Sequence, residues 1–312
     1  MMDSDEKVSV VICAYSMERL RDIHEAVDSV LAQTLKPHEL ILAIDHNKEL
    51  FHRLESELPP EVKLVLNEGP HGLSETRNAG IRSSSGEIVA FIDDDAVAEN
   101  NWLENLTKHF HNPLVVAVGG MVIPQWLDGK RPKWFAEELD WVVGCTYKGL
   151  PLYGNEVRNV LGCNMAFRKA VFEPAGSFHS EVGRVGKLQG VGEESEICLR
   201  IKHSMPEALI LYKPKAITYH KVPLWRVRLK YLVQRSYNEG FYKSIVKKLS
   251  SNLSRKPLST ESSYLRYLLL TAIPQRLRRF YKLGALAEAG AIMVSITATG
   301  MGYMIGRAKG LR

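Results

Sequence analysis

Strand-like and helix-like stretches alternate through the first hundred residues of this 312-residue chain, and that order narrows the fold more than any other feature. Val8 to Tyr15 is an almost unbroken apolar, β-branched run, the pattern of a parallel strand buried on both faces. Ile23, Ala26, Val27, Val30 and Leu31 follow at helical spacing. Leu40 to Asp45 and Val62 to Asn67 read as two further strands. Gly72 to Ile81 reads as loop then helix, with Ser74 as its cap and Glu75 in its first turn, and Ile88 to Ile92 as a fourth strand. The expected class is α/β, a doubly wound sheet whose ligands sit at the carboxyl ends of the strands.

Three strand ends fall on that edge: Ala14-Tyr15, Asp45-His46-Asn47 and Asp93-Asp94-Asp95. Adjacent carboxylates repel and raise one another's pKa unless a cation joins them, so the aspartates point to Mg2+ or Mn2+ carrying a diphosphate. Read locally, Asp94 or Asp95 equally suits the cap of a helix running through Trp102 to Leu106. Neither a Gly-x-Gly-x-x-Gly turn nor a P-loop is present, so a metal rather than a glycine cradle must neutralise the phosphates.

In the second half, Val115 to Val122 reads as a strand, Arg131 to Gly144 as a segment rich in Trp and Pro, and Val160 to Arg168 as a strand carrying Asn164. The Asn164 amide suits a donor or acceptor contact. Glu193, Glu194 and Glu196 open a helix, where the dipole alone accounts for acids. His220 ends the strand Ala216 to Tyr219.

In this order, Val8 to Tyr15, Asp45, Gly72 to Gly80, Phe91 to Asp95, Gly192 to Glu196 and Thr218 to His220 resemble the family 2 inverting glycosyltransferases of the GT-A fold. The resemblance covers about residues 8–222 and is nearest to enzymes acting on dolichyl- or polyprenyl-phosphate-linked sugars. It implies that Ala14, Tyr15 and Asp45 hold the base, Arg77 the base or phosphates, and Asp93 the ribose, with Asp94 and Asn164 also on the nucleotide sugar. Asp95 and His220 would hold the Mg2+ or Mn2+. The family carries a Glu-Asp pair whose second acid is the base; here Glu193-Glu194 makes Glu194 the base and Glu193 the alternative. Ile44-Asp45-His46-Asn47 departs from the family, where small or acidic residues follow the acid.

The implied reaction moves one sugar from a UDP-sugar to a lipid-phosphate-linked sugar in glycan or glycoprotein assembly. Rival readings are transfer to a soluble or surface polysaccharide, a sugar nucleotidyltransferase, and an inactive membrane scaffold. The nucleotidyltransferase reading lacks a glycine-rich basic loop after the first strand, and a scaffold has no need of the metal and base positions. Gln234-Arg235-Ser236-Tyr237 does not fit the Gln-x-x-Arg-Trp of processive synthases.

Charge divides the chain. Residues 1–212 hold 21 Lys and Arg against 32 Asp and Glu, whereas residues 213–282 hold 17 against 2. We therefore expect a catalytic domain over 1–224 and a basic helical region over 225–312. In that region Arg226, Arg228, Lys230, Arg235, Lys243, Lys247 and Lys248 interleave with aromatics. The apolar stretch near 284–306 either spans a bilayer or docks as a hairpin, which favours an anionic membrane over nucleic acid as partner. The acidic start, Met1 to Lys7, is unlike a signal peptide, so the catalytic domain is expected on the cytoplasmic side. Four scattered cysteines read as reduced thiols.

Overall fold

The computed structural model describes residues 6–127, 129–152, 155–180, 192–249 and 258–309. Residues 1–5, part of the stretch behind the leader reading, lie outside them. The expected alternation is present as β1 (Val8–Ala14), α1 (Leu20–Leu31), β2 (Glu39–Asp45), α2 (Lys48–Glu57), β3 (Val62–Asn67), α3 (Leu73–Ser83) and β4 (Ile88–Asp93). The side chains of β1 explain its unbroken apolar run. Val10 and Ile12 join Ile23, Ala26, Val27 and Val30 of α1 in one core, while Val11 joins Ile41, Ile81 and Phe91 in the other. β1 pairs in parallel with β2 and β4, and β2 with β3, so Ala14, Asp45 and Asp93 leave the sheet at one edge.

After β4 the winding changes. β5 (Ala96–Ala98), α4 (Trp102–Thr107), β6 (Val115–Trp126), β7 (Asn164–Arg168), α5 (Phe172–Ala175), α6 (Glu193–Ser204) and β8 (Leu209–Val222) complete an eight-stranded sheet of order β3-β2-β1-β4-β7-β6-β8-β5. β7 is antiparallel to both β4 and β6, so the sheet is mixed. Three local expectations change. β7 begins at Asn164, because Leu161 to Cys163 turn the chain into it. The cap of α3 is Gly72, at a φ of 128° that favours glycine, and Ser74 is buried in the first turn. Helix α4 starts after Asn101, so neither Asp94 nor Asp95 caps it. They form the turn from β4 into β5, which pairs with β8 and sets Ala96 opposite His220.

The tail continues as α7 (Leu229–Leu249), α8 (Ser259–Tyr267), a π turn at Leu268–Ala272, α9 (Ile273–Leu277) and α10 (Leu283–Lys309). Small residues bring α7 and α10 into close contact. A methyl on Gly240 would sit 1.9 Å from the Thr299 carbonyl oxygen, and one on Gly302 would sit 2.0 Å from that of Tyr237. The Ser236 and Ser295 hydroxyls lie 2.9 Å apart. Contacts climb together along both helices, Ser236 with Ser295, Gly240 with Thr299 and Ser244 with Gly306, so the pair is parallel and not a hairpin. α10 is long and apolar enough to cross a membrane, with 28 % of its most apolar window buried against the protein.

Much of the basic stretch is turned inward, contrary to its reading as a lipid-facing stripe. Arg226 reaches Asp95, Arg235 and Lys243 bind Glu239, and Arg276 binds Glu138 and Glu288. Arg226 ties the tail to Asp95 and Arg276 ties it to Glu138, whereas the Glu239 pairs lie within α7.

Candidate functional site

A cavity of about 580 Å3 opens at the carboxyl edge of β1 and β4 and continues beneath the tail helices. Asp93, Asp95, Glu193, Glu194, Arg77 and His220 all line it. The turn after β4 buries Asp94 and Asp95 to 2 % and 5 % exposure. Arg19 pairs with Asp94, and its other amino group lies 3.1 Å from Asp95 Oδ2. Asp95 Oδ1 lies 3.2 Å from His220 Nε2, and Arg226 lies 3.5 Å from Oδ2. Burial opposes ionisation of Asp95, but His220, Arg226 and Arg19 together hold its carboxyl below the usual range. Asp94 goes the other way: burial, with Asp95 and Asp93 beside it, lifts it to about 7 against the pull of Arg19.

Across the cavity, Gly192 starts α6 and aims the Glu193-Glu194 pair back at the strands. Arg77, buried on α3, stands between the acids. It donates to Glu193 Oε1 at 3.1 Å and lies 3.5 Å from Glu194 Oε1 and 3.7 Å from Asp93 Oδ1. Glu193 is sealed, with Oε2 lacking a partner, whereas the Glu194 side chain keeps 18 % of its surface exposed against 6 % for Glu193. Burial and the neighbouring Glu193 charge raise Glu194 to about 7 despite Arg77. Gly162 makes room for it, since a methyl there would sit 2.0 Å from Glu194 Oε1. Glu196, the third acid, binds Arg200 at 2.6 Å and takes no part in the cavity.

Charge counting tests whether this site fits a metal. Five carboxylates, Asp93, Asp94, Asp95, Glu193 and Glu194, face three guanidiniums, Arg19, Arg77 and Arg226. Burial first, and then the neighbouring carboxylates, lift Asp94 and Glu194 to about 7, so the count leaves an excess of two negative charges only at the cost of ionising both. A divalent cation supplies two positive charges to match. Asp93 and His220 place ligand atoms within 4.8 Å of one another and of Cys163, and His220 Nδ1 is buried without a partner. Cys163 is a poor ligand for a hard cation, because burial holds its thiol well above the usual range. All four cysteines are free.

The residues expected on the base form a second group. Ala14 is buried at the end of β1, while Tyr15 is exposed beneath the Arg19 guanidinium, 5.4 Å from its ring. The Asp45 carboxylate accepts from Asn67 Nδ2 and the Gly72 amide, both at 3.0 Å, and so fixes the loop that enters α3. His46, at a φ of 52°, stacks on His71 beside it.

Asn164 requires a correction. Its side chain is fully buried, donates to the carbonyls of Met121 and Ala216 at 2.9 Å, and accepts from Trp102 Nε1 at 2.8 Å. Every polar atom of that amide is used to tie α4, β6 and β8 together, leaving nothing for a nucleotide sugar. Two residues escaped sequence reasoning. Arg19 lies 75 positions from its partner Asp94, with only its place just after β1 as a clue. Arg226 was hidden in the basic stretch, although it follows His220 by six residues.

Residues 9–175 match the family described as Glycosyl transferase family 2. The chain is 37 % identical over 306 residues to a glucosyl-dolichyl phosphate glucuronosyltransferase of Haloferax volcanii, covering 96 % of each protein. It is 24 % identical to the succinoglycan biosynthesis protein ExoM of Rhizobium meliloti over 75 % of this chain and 72 % of that one. Among solved structures, its fold is similar to the mannosyltransferase PcManGT of Pyrobaculum calidifontis in complex with GDP-Man and Mn2+, with a TM-score of 0.57 at 20 % identity over 97 % of this chain and 86 % of that one. It is also similar to GalNAc-T7 with UDP, GalNAc and Mn2+, with a TM-score of 0.57 at 18 % identity over 80 % and 55 %.

Proposed function

The chain belongs to glycosyl transferase family 2, a glycosyltransferase of the GT-A fold, and we propose that it moves one hexose or hexuronic acid, with inversion, from a UDP-sugar to a sugar carried on dolichyl or polyprenyl phosphate. The observation that carries this reading is the division of the cavity into two acidic poles. Asp93, Asp95 and His220 stand at one, Glu194 opens at the other, and Arg77 lies between. The acceptor class is supported by the Haloferax volcanii relative, whose name gives a dolichyl-phosphate-linked sugar.

In this mechanism Asp93, Asp95 and His220 would hold Mg2+ or Mn2+, which would supply positive charge against the departing diphosphate. Glu194 takes the proton from the acceptor hydroxyl as that oxygen attacks the anomeric carbon on the face opposite the leaving group. Arg77 donates to Glu193 and lies 3.7 Å from Asp93, so one buried guanidinium brings its positive charge to both poles. Tyr15 and Asp45 border the base. In this reading α10 associates with a membrane and the sheet lies on its cytoplasmic side, supported by the length and apolarity of that helix.

The full chain should be incubated with a panel of UDP-sugars and glucosyl citronellyl phosphate, with and without EDTA, and the product's anomeric configuration read by NMR. Inverted transfer that EDTA abolishes supports the reading. Transfer only to soluble oligosaccharides, or full activity in excess EDTA, sinks it.

A further inference from the structure

Helix α10 is fastened to the protein along its length. Arg276 Nε holds Glu288 at 2.7 Å, Ser295 meets Ser236 at 2.9 Å, and Gly302 and Gly306 press against the Tyr237 carbonyl and the Ser244 hydroxyl. Ala289, Ala291, Ile292 and Ala298 are buried between these points. At 3.6 residues per turn the remaining large apolar side chains, Leu286, Met293, Val294, Met301, Met304 and Ile305, fall on the opposite face, and all of them are exposed. The helix thus carries one covered stripe and one bare stripe. A core helix is covered all round, and α10 is not.

Those contacts decide how such a helix can meet a bilayer. α7 runs parallel to α10 and carries Arg235, Glu239 and Lys243 at the cavity wall. Arg276, just before α10, is paired with buried Glu138. An α10 crossing the bilayer upright would draw α7 and its charges into hydrocarbon about 30 Å thick, where ionised side chains are costly. Only the bare stripe can be immersed, with the helix axis along the surface. The ends of α10 fit that placement. In the turn from α9, Phe280 and Tyr281 are 69 % and 71 % exposed beside Arg278, Arg279 and Lys282, and Arg307 and Lys309 stand at the other end. All five cations are exposed, and none makes an ion pair with another described residue. Exposed rings and unbalanced cations at the edges of an apolar stripe match the headgroup layer of an anionic bilayer.

We propose that α10 lies in the plane of an anionic bilayer without crossing it, its stripe from Leu286 to Ile305 against the acyl chains and Phe280 and Tyr281 among the headgroups. Both ends of the helix then stay on the side of the catalytic domain. The inference rests on the membrane association of the preceding reading and adds its geometry, the surface that makes the contact and the charge of the lipid.

The test needs neither donor nor acceptor, which separates it from the transfer reaction. The full chain is diluted from detergent into preformed phosphatidylcholine vesicles, with and without phosphatidylglycerol, and the bound fraction is measured by flotation. Wild type should favour the anionic vesicles by about tenfold or more, and less as salt rises. Changing Arg278→Gln and Arg279→Gln together should remove most of that preference, and Phe280→Ser should weaken binding to both kinds of vesicle. Depth is read with a fluorophore attached at Leu286→Cys, Met293→Cys or Met304→Cys, one at a time, against wild type treated alike. Lipids spin-labelled near the headgroup should quench all three labels more than lipids labelled near the chain end. A Met293 label quenched chiefly from the chain end, with Leu286 and Met304 shallow, reports a crossing helix and overturns the proposal. A wild type that ignores anionic vesicles, or binds both kinds alike, overturns it without any variant. In-plane binding by a protein that transfers no sugar would instead count against the catalytic reading alone.

Discussion

Exchanging the two glutamates one at a time for glutamine separates their roles, because the structure makes them unequal. Glu194 opens to the cavity and sits near pH 7, whereas Glu193 is sealed against Arg77. Glu194→Gln keeps the shape and deletes the base, so kcat should fall by about 10²–10⁴-fold with the donor Kd little changed. Glu193→Gln should lose far less and should also move the pH profile. The reactive form of Glu194 is the carboxylate, so activity appears as pH rises through its pKa and fades below it. With that pKa at about 7, only about a tenth of the molecules are competent one unit lower. The Glu193 charge is the largest contribution after burial, so removing it should shift the acid limb toward lower pH. Single-turnover transfer from pH 5.5 to 8.5, on both variants and the wild type, gives the amplitude and the limb together. A severe Glu193→Gln beside a mild Glu194→Gln would reverse the assignment. A limb that stays put in Glu193→Gln would refute the electrostatic part of the reasoning.

Adding Mn2+ to the nucleotide-free protein should release protons, more at pH 6 than at pH 8 and at most two per site, measured by calorimetry in buffers of different ionisation enthalpy; uptake or no release contradicts the charge count. Asp95→Asn should remove most metal-stimulated turnover, and an unchanged Mn2+ titration of activity would rule out its role. Asn164→Ala strands the Trp102 N–H and two buried carbonyls at about 1–3 kcal/mol each, so denaturant unfolding should show a loss above about 3 kcal/mol, with donor binding kept by the folded fraction. Gly302→Val forces side-chain atoms against the Tyr237 carbonyl, so α10 should become protease-sensitive and leave α7; resistance equal to the wild type would argue against the close pairing.

The sequence made some layers legible and hid others for identifiable reasons. Parallel strands buried on both faces leave continuous apolar runs, so β1 to β4 and the shared edge of Ala14, Asp45 and Asp93 could be read directly. The aspartates and His220 stood out because ionisable groups at strand ends need a reason, whereas Arg77 and the Glu193-Glu194 pair, on helices, drew their roles from the family resemblance. Pairing across long separations leaves no local trace, and it is what decided the rest. Asn164 became a strut only because Trp102 and Ala216 arrive beside it. Arg226, Arg235 and Lys243 are indistinguishable by composition from solvated cations, and only the approach of α7 and α8 to the cavity turns them inward. The antiparallel β7 was hidden because the segment before it is a long loop that sets chain direction without periodicity.

α10 has two audiences. Ser295, Thr299 and Tyr303 face the cavity, while Met293, Met301 and Met304 face outward. These two stripes share one rigid rod, so a push on either is felt on the other. Anything that grips the methionine side, a bilayer included, would therefore reach the cavity wall through the helix itself.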